Sequence, residues 1–462
     1  MNQPIRIESD SLGEVELPAG ALWGAQTQRA VENFPISGRR MPDAFLRALL
    51  HLKAAAAQVN ADLGCIEAPI SDAIRAAVNQ LLDDEDLSQH FPVDVYQTGS
   101  GTSSNMNANE VIATVASQTS DLSIHPNDHV NFGQSSNDVI PSSIHISAAL
   151  GTETVLLPSL NALAAAIQKR GKELAEVTKT GRTHLMDAMP VRFDQVLGGW
   201  QSQLLSAGER LQALLPKLRE ITLGGTAVGT GINTHPDFAA RTSEALSERL
   251  DITITAATSP RTFALMGAQD EILALSGELR TLAAALMKIG NDLRWMNSGP
   301  LGGLGEIALP ALQPGSSIMP GKVNPVIPEA LNMVCARVIG NDVTLTVAGQ
   351  SGNFELNVML PVIADTVLES ITLLANAMRT LEERAIRGFI VNRDVVEDRL
   401  ARNPILVTAL NPIIGYAKAA EIAKKAYASG ASIIDVAAEE TDLSRERLEE
   451  LLNPANLTDG GL

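Results

Sequence analysis

Ile272, Leu275, Leu279, Leu282, Leu286 and Ile289 step along the chain by 3, 4, 3, 4 and 3 residues. Val367, Ile371, Leu374, Met378, Leu381 and Ala385 step by 4, 3, 4, 3 and 4. Val196, Trp200, Leu204, Ala207, Leu211 and Leu214 behave similarly, as do Leu156, Leu160, Leu163 and Ile167 in a shorter run. Spacing of this kind puts each apolar set on one stripe of a helix, and the stripe must be buried. The pattern predicts four or five long helices forming a bundle, with the stripes as core rather than as cofactor contacts. Seams at this spacing are also suited to continue into partner chains.

The 462 residues suffice for roughly two to four domains. Three regions are expected: 1–134, with extended sequence from Ile5 to Pro18 followed by helical stretches; 135–391, holding the long seams; and 392–462, a small helical tail. With 45% hydrophobic and only 3% aromatic residues, the chain reads as a mainly α, globular protein. Its net charge, 35 minus 53 or −18, argues against nucleic acid or an anionic membrane surface as partner. It does not argue against an anionic substrate, because net charge describes the surface and not a pocket. Met1 to Asp10 lacks the basic start and apolar core of a signal peptide, and no uninterrupted apolar run of about 18 residues is present. A cytoplasmic location is expected. The only cysteines, Cys65 and Cys335, form no disulfide framework and are too few to hold an iron–sulfur cluster. No cofactor is expected.

The most informative loop is Gly315-Ser316-Ser317-Ile318-Met319-Pro320-Gly321-Lys322-Val323-Asn324-Pro325. Two hydroxyls, a lysine and an amide share one glycine- and proline-bounded segment. A helix starting after Pro325 would add unpaired N–H groups and positive dipole character. This chemistry suits an anion. It is not a nucleotide P-loop, because five residues separate its glycines and Val323 follows the lysine.

Thr98-Gly99-Ser100-Gly101-Thr102-Ser103-Ser104-Asn105 and Gln134-Ser135-Ser136-Asn137-Asp138 are similar polar loops that precede helical runs. Gly181-Arg182-Thr183-His184 is a fourth, expected as a loop between two helical stretches, with His184 as the best-placed titratable group. His125 and His129 have helix-face spacing for a metal, but no third ligand lies nearby, so no metal site is expected. Gly224, Gly225, Gly229 and Gly231 follow no strand, which disfavours a dinucleotide fingerprint.

These segments together resemble the class II fumarases of the aspartase/fumarase superfamily. The likeness runs over nearly the whole chain, from Leu22-Trp23-Gly24-Ala25-Gln26-Thr27-Gln28-Arg29 through Gly225-Thr226-Ala227-Val228-Gly229-Thr230-Gly231 to the tail. The alternative within the superfamily is aspartate ammonia-lyase. His184 and Gly321 favour fumarase, since the ammonia-lyase typically has Gln and Ala there.

The resemblance implies a three-domain, largely helical subunit whose central helices form the core of a homotetramer, with each active site built from three chains. The substrate would be a small dicarboxylate, fumarate or malate. By motif, Ser316 is the expected base and His184 the acid or water-activating group. Glu329 would pair with that histidine, and Lys322 would stabilise developing charge. Ser100, Thr102, Ser135, Ser136, Asn137, Thr183, Ser317, Lys322 and Asn324 match substrate-binding positions. Fumarases of this class also have a second, non-catalytic carboxylate site, here His125, Pro126, Asn127 and Asp128. The arginine often found three residues before the histidine is Leu122, so carboxylate binding there is expected to be weak or absent.

Overall fold

The structure is a computed structural model and describes residues 4–460. The chain opens with an antiparallel hairpin, β1 (Ile5–Asp10) and β2 (Gly13–Pro18), in the region expected to be extended. Helices α1 (Ala25–Asn33), α2 (Asp43–Asp62), α3 (Ala68–Leu82), α4 (Thr102–Thr119) and α5 (Ser136–Gly151) follow. A short π-helical turn at Thr152–Leu156 leads into α6 (Leu157–Glu173), and the run from Ser136 to Glu173 is one 38-residue helical stretch. After it come the hairpin β3 (Thr178–Thr183) and β4 (Met186–Arg192), then α7 (Phe193–Leu218), α8 (Phe238–Leu250), α9 (Arg261–Gly267), α10 (Asp270–Met296), α11 (Val326–Gly349) and α12 (Leu360–Leu381). Short helices from Arg393 to Leu457 complete the chain.

By its own contacts the chain divides into two compact units, each discontinuous in sequence. The first comprises residues 1–158, 209–283 and 336–375; the second comprises 159–208, 284–335 and 376–462. In the first, α2 packs on α3, α5 and α8. Ser276 and Arg280 of α10 reach Asp342 of α11 at 2.6 and 2.8 Å, and Asn341 of α11 reaches Glu369 of α12 at 2.8 Å. In the second, Trp200 of α7 donates to Asp292 of α10 at 3.3 Å. The tail has a core of its own that includes Leu406, Leu410, Ile422, Ile433, Val436 and Leu448.

The predicted seams are core. All six residues of the α10 stripe and all six from Val367 to Ala385 are at most 2% exposed, and Leu156, Leu160, Leu163 and Ile167 are fully buried. The α7 stripe drifts. Its buried set is Phe193, Leu197, Trp200, Leu204, Ala207, Leu211, Leu215 and Leu218, while Val196 and Leu214 are only half-buried. A straight helix turns every 3.6 residues, so a 3.5-residue reading loses register over 26 residues.

Two of these runs, Ser136–Glu173 and Leu360–Ile386, reach the length and mean hydropathy of membrane spans, 1.3 each. Yet 72% of the second window is buried inside the protein, and both owe their hydropathy in part to the core seams.

Candidate active site

In the first unit, three polar loops converge on the N-termini of α4 and α5. Gly101 precedes α4 with φ of 72°, and a side chain there would also press on Ile140, so glycine is required twice over. Ser100 Oγ lies 2.8 Å from Thr102 Oγ1, which lies 2.7 Å from Ser136 Oγ. Ser135 caps α5 by accepting from the Asn137 N–H at 3.2 Å, while Asp138 accepts from the Ser135 N–H at 2.9 Å. The other Asp138 oxygen accepts from the N–H groups of Gly224 and Thr226 at 3.0 and 2.8 Å. Asn137 adds a bond to the Ala227 carbonyl at 2.9 Å. The glycine-rich segment that failed as a dinucleotide motif is thus a shelf beside α5. All five predicted site residues from Ser100 to Asn137 are brought together here.

In the second unit, His184 is not in a loop between helices, as expected, but at the tip of the β3–β4 hairpin, which itself connects α6 to α7. His184 and Leu185 form a two-residue turn with φ of 56° and 61°. Such turns favour Asn-Gly, so two non-glycine residues here represent strain held at a candidate functional site. The imidazole is exposed and has no hydrogen-bond partner among the described residues.

What holds the hairpin is a buried ion cluster that sequence reasoning missed. Arg182 Nη2 donates to Glu306 Oε1 at 2.6 Å, and Lys179 Nζ pairs with Oε2 at 3.2 Å without hydrogen-bond alignment. The Glu306 and Lys179 side chains are 2% and 7% exposed. Burial pulls the Lys179 amine below its usual value, against the opposing pull of Glu306. Glu306→Ala would strand the buried Lys179 and the part-buried Arg182 and is expected to cost about 3–5 kcal/mol. Urea or thermal melts check this; a variant as stable as the parent would show that the cluster carries no stability.

The Gly315–Pro325 loop is also in the second unit, ahead of α11, which begins at Val326 as expected. Its ends are closed by Gly315 N–H to the Lys322 carbonyl at 2.9 Å and Asn324 Nδ2 to the Gly315 carbonyl at 2.5 Å. A Cβ at position 315 would lie 2.3 Å from that Lys322 oxygen, so only glycine fits. Ser316 Oγ accepts from the Ile318 and Met319 N–H groups at 3.3 and 3.0 Å. Ser317 and Lys322 are exposed. Lys322, Asn324 and Glu329 line a cavity of about 730 Å³, whose other residues include Arg294, Asn297 and Asn392. Within the chain, Glu329 and His184 share no hydrogen bond among the described residues.

A lyase family profile matches residues 13–340, and one described as the fumarase C C-terminus matches 406–459. Class II fumarate hydratase 2 of Pseudomonas aeruginosa is 63% identical over 457 residues, 99% of each chain. That of Xylella fastidiosa is 57% identical over 99% of this chain and 96% of its own. The crystal structure of recombinant class II fumarase from Schistosoma mansoni superposes with a TM-score of 0.95 at 37% identity over 99% of each chain.

The chain belongs to the class II fumarase family.

In this fumarase fold the His125 segment lies on a different cavity, also about 730 Å³, whose lining includes His125, Pro126 and Asn127 together with Glu8, Asp10 and Glu110. Pro126 opens a short π-helical turn in which His125 Nδ1 accepts from the Asp128 N–H at 3.1 Å and faces its carboxylate at 3.2 Å. Among the described residues no cluster of three metal-ligating side chains is found. Three carboxylates line the cavity and no arginine or lysine does, while the neighbouring Arg6 and Arg29 are already paired with Glu8 and Asp10, so an anion meets no free cation of the lining. His125→Asn is therefore expected to leave catalysis within about twofold, because it touches no group of the polar loops. Steady-state assays check this, and direct His125 contacts to a dicarboxylate soaked into crystals would contradict the weak-binding expectation.

Proposed function

We propose that the protein is a fumarate hydratase that reversibly hydrates fumarate to (S)-malate by metal-independent acid/base chemistry through an aci-carboxylate intermediate. The observation that carries this reading is the near-full-length identity to a class II fumarate hydratase, with every polar loop of the site intact.

Dehydration removes a proton from the malate carbon next to a carboxylate, and negative charge builds on that carboxylate. Fixed donors aimed at the charge lower the barrier, and Lys322, Asn324 and Asn137 supply them. Ser316 is the base. A serine hydroxyl is far too weakly acidic alone, but two N–H groups already point at its oxygen, an environment that stabilises an alkoxide. His184, oriented by Glu329, protonates the departing hydroxyl, which leaves as water; in reverse it activates the incoming water. Ser100, Thr102, Ser135, Ser136, Thr183 and Ser317 hold the two carboxylates.

The site is shared between subunits of a homotetramer. The Asn137 loop opens the helical run Ser136–Glu173, and the hairpin carrying His184 follows that run in sequence. The Ser135–Asp138 cap starts the helix, and Pro141 does not interrupt it. A partner surface is available on α11, where Met333, Ala336, Gly340, Val343 and Val347 step by 3, 4, 3 and 4 and are exposed. That is a second seam without cover in one chain. The three-part division 1–134, 135–391 and 392–462, and a cytoplasmic location, complete the reading.

The test is ultraviolet absorbance of fumarate formed from malate but not from aspartate. Production from aspartate would make the protein an ammonia-lyase, and turnover of neither would end the enzymatic reading.

A further inference from the structure

Lys53 lies on α2 and is fully buried, although it interrupts the apolar run Leu52 to Ala57. Its Nζ donates to Asn131 Oδ1 and Gln134 Oε1, both at 2.9 Å, in the turn just before the Ser135 cap. Asp138, equally buried, accepts three backbone N–H groups from Ser135, Gly224 and Thr226. Each group feels the field of the other: Asp138 opposes the burial that pulls the Lys53 amine down, and Lys53 opposes the burial that pushes the Asp138 carboxyl up.

The arrangement poses an electrostatic problem. Asp138 is needed to cap α5 and to tie down the 224–227 shelf, yet it sets a negative charge beneath the helix N-terminus that is to receive a dianion. A like charge buried at a binding site weakens anion affinity, and solvent does little to screen it.

We infer that Lys53 is a positioning and charge-balancing residue for dicarboxylate binding, offsetting the Asp138 charge while holding the 131–134 turn in place. Lys53 does not touch substrate. The inference rests on the reading of Ser135 to Asn137 as carboxylate-binding residues.

The test is a charge-compensation cycle on the intact enzyme, comparing Lys53→Met, Asp138→Asn and the double variant by KM and kcat for fumarate, with melting temperature measured in parallel. Lys53→Met is expected to raise KM about tenfold, the scale of one uncompensated buried like charge, with kcat changed less than about threefold. The double variant is expected to recover at least half of that loss on a logarithmic scale although it is less stable than either parent. A structural role alone predicts the opposite, additive damage. Equal or worse KM in the double variant, or a fall in kcat with KM unchanged, overturns the inference. If Lys53→Met does not fold, the double variant decides: a KM within about threefold of the parent supports the inference, and a rise of about tenfold or more refutes it. Wild-type enzyme without fumarate hydration would instead refute the function. The compensation is then read from fumarate binding by calorimetry, where the same pattern in Kd is required.

Discussion

Replacing His184 with asparagine is expected to lower the rate of fumarate hydration by about 10²- to 10⁴-fold, the usual contribution of a general acid or base. Fold and assembly should be unaffected. The imidazole is exposed at a hairpin tip, bonds to nothing among the described residues, and buries no apolar area that asparagine would forfeit. Asparagine also tolerates the left-handed conformation with φ of 56° better than most residues, so the turn should be, if anything, relieved. Loss of activity with an unchanged melt would thus isolate chemistry from structure. Near-full activity across the pH range would remove His184 from the mechanism, and a lowered melt would mean that the strained turn was stabilised by a contact from another chain.

Mixing two dead proteins should restore life. His184→Asn and Ser316→Ala subunits, co-refolded in equal amounts, are expected to regain about a quarter of wild-type activity, since random assembly gives half the sites an intact His184 and half of those an intact Ser316. Restoration requires the two residues to reach one site from different chains. His184 and Glu329 share no bond within one chain, and the α11 stripe from Met333 to Val347 offers a surface for partners. Size-exclusion chromatography with differently tagged subunits verifies hybrid formation. Persistently inactive hybrids would place both residues on one chain or end the shared-site reading.

Much of the architecture was legible because a stripe at helical spacing has a single use. Every predicted residue of the α10 stripe is buried, and the start of α11 after Pro325 followed from glycine and proline punctuation. The polar loops of the first unit were legible because Ser, Thr, Asn and Gly before an apolar run announce a cap, and a cap exposes donors. The His184 segment reads as a loop in sequence and folds as a hairpin turn. Its hairpin is short, carries no Asn-Gly signal, and is held by Glu306, a residue 124 positions away from Arg182. Lys53 left one faint trace, a lysine inside an apolar helical run, which by itself reads as a snorkelling surface residue.

The sequence by itself determined the helices, their buried faces, the polar loops of the candidate site, and the family. These are properties written over a dozen neighbouring residues, through periodicity, caps and backbone freedom. Tertiary structure alone decided which charges meet. Asp138 reaches the 224–226 backbone across 86 and 88 positions, Lys53 reaches the turn at Asn131 and Gln134, and Glu306 anchors the β3–β4 hairpin. A buried charge is tolerable only opposite a specific partner, and that partner is chosen by packing among distant segments, which local pattern does not encode.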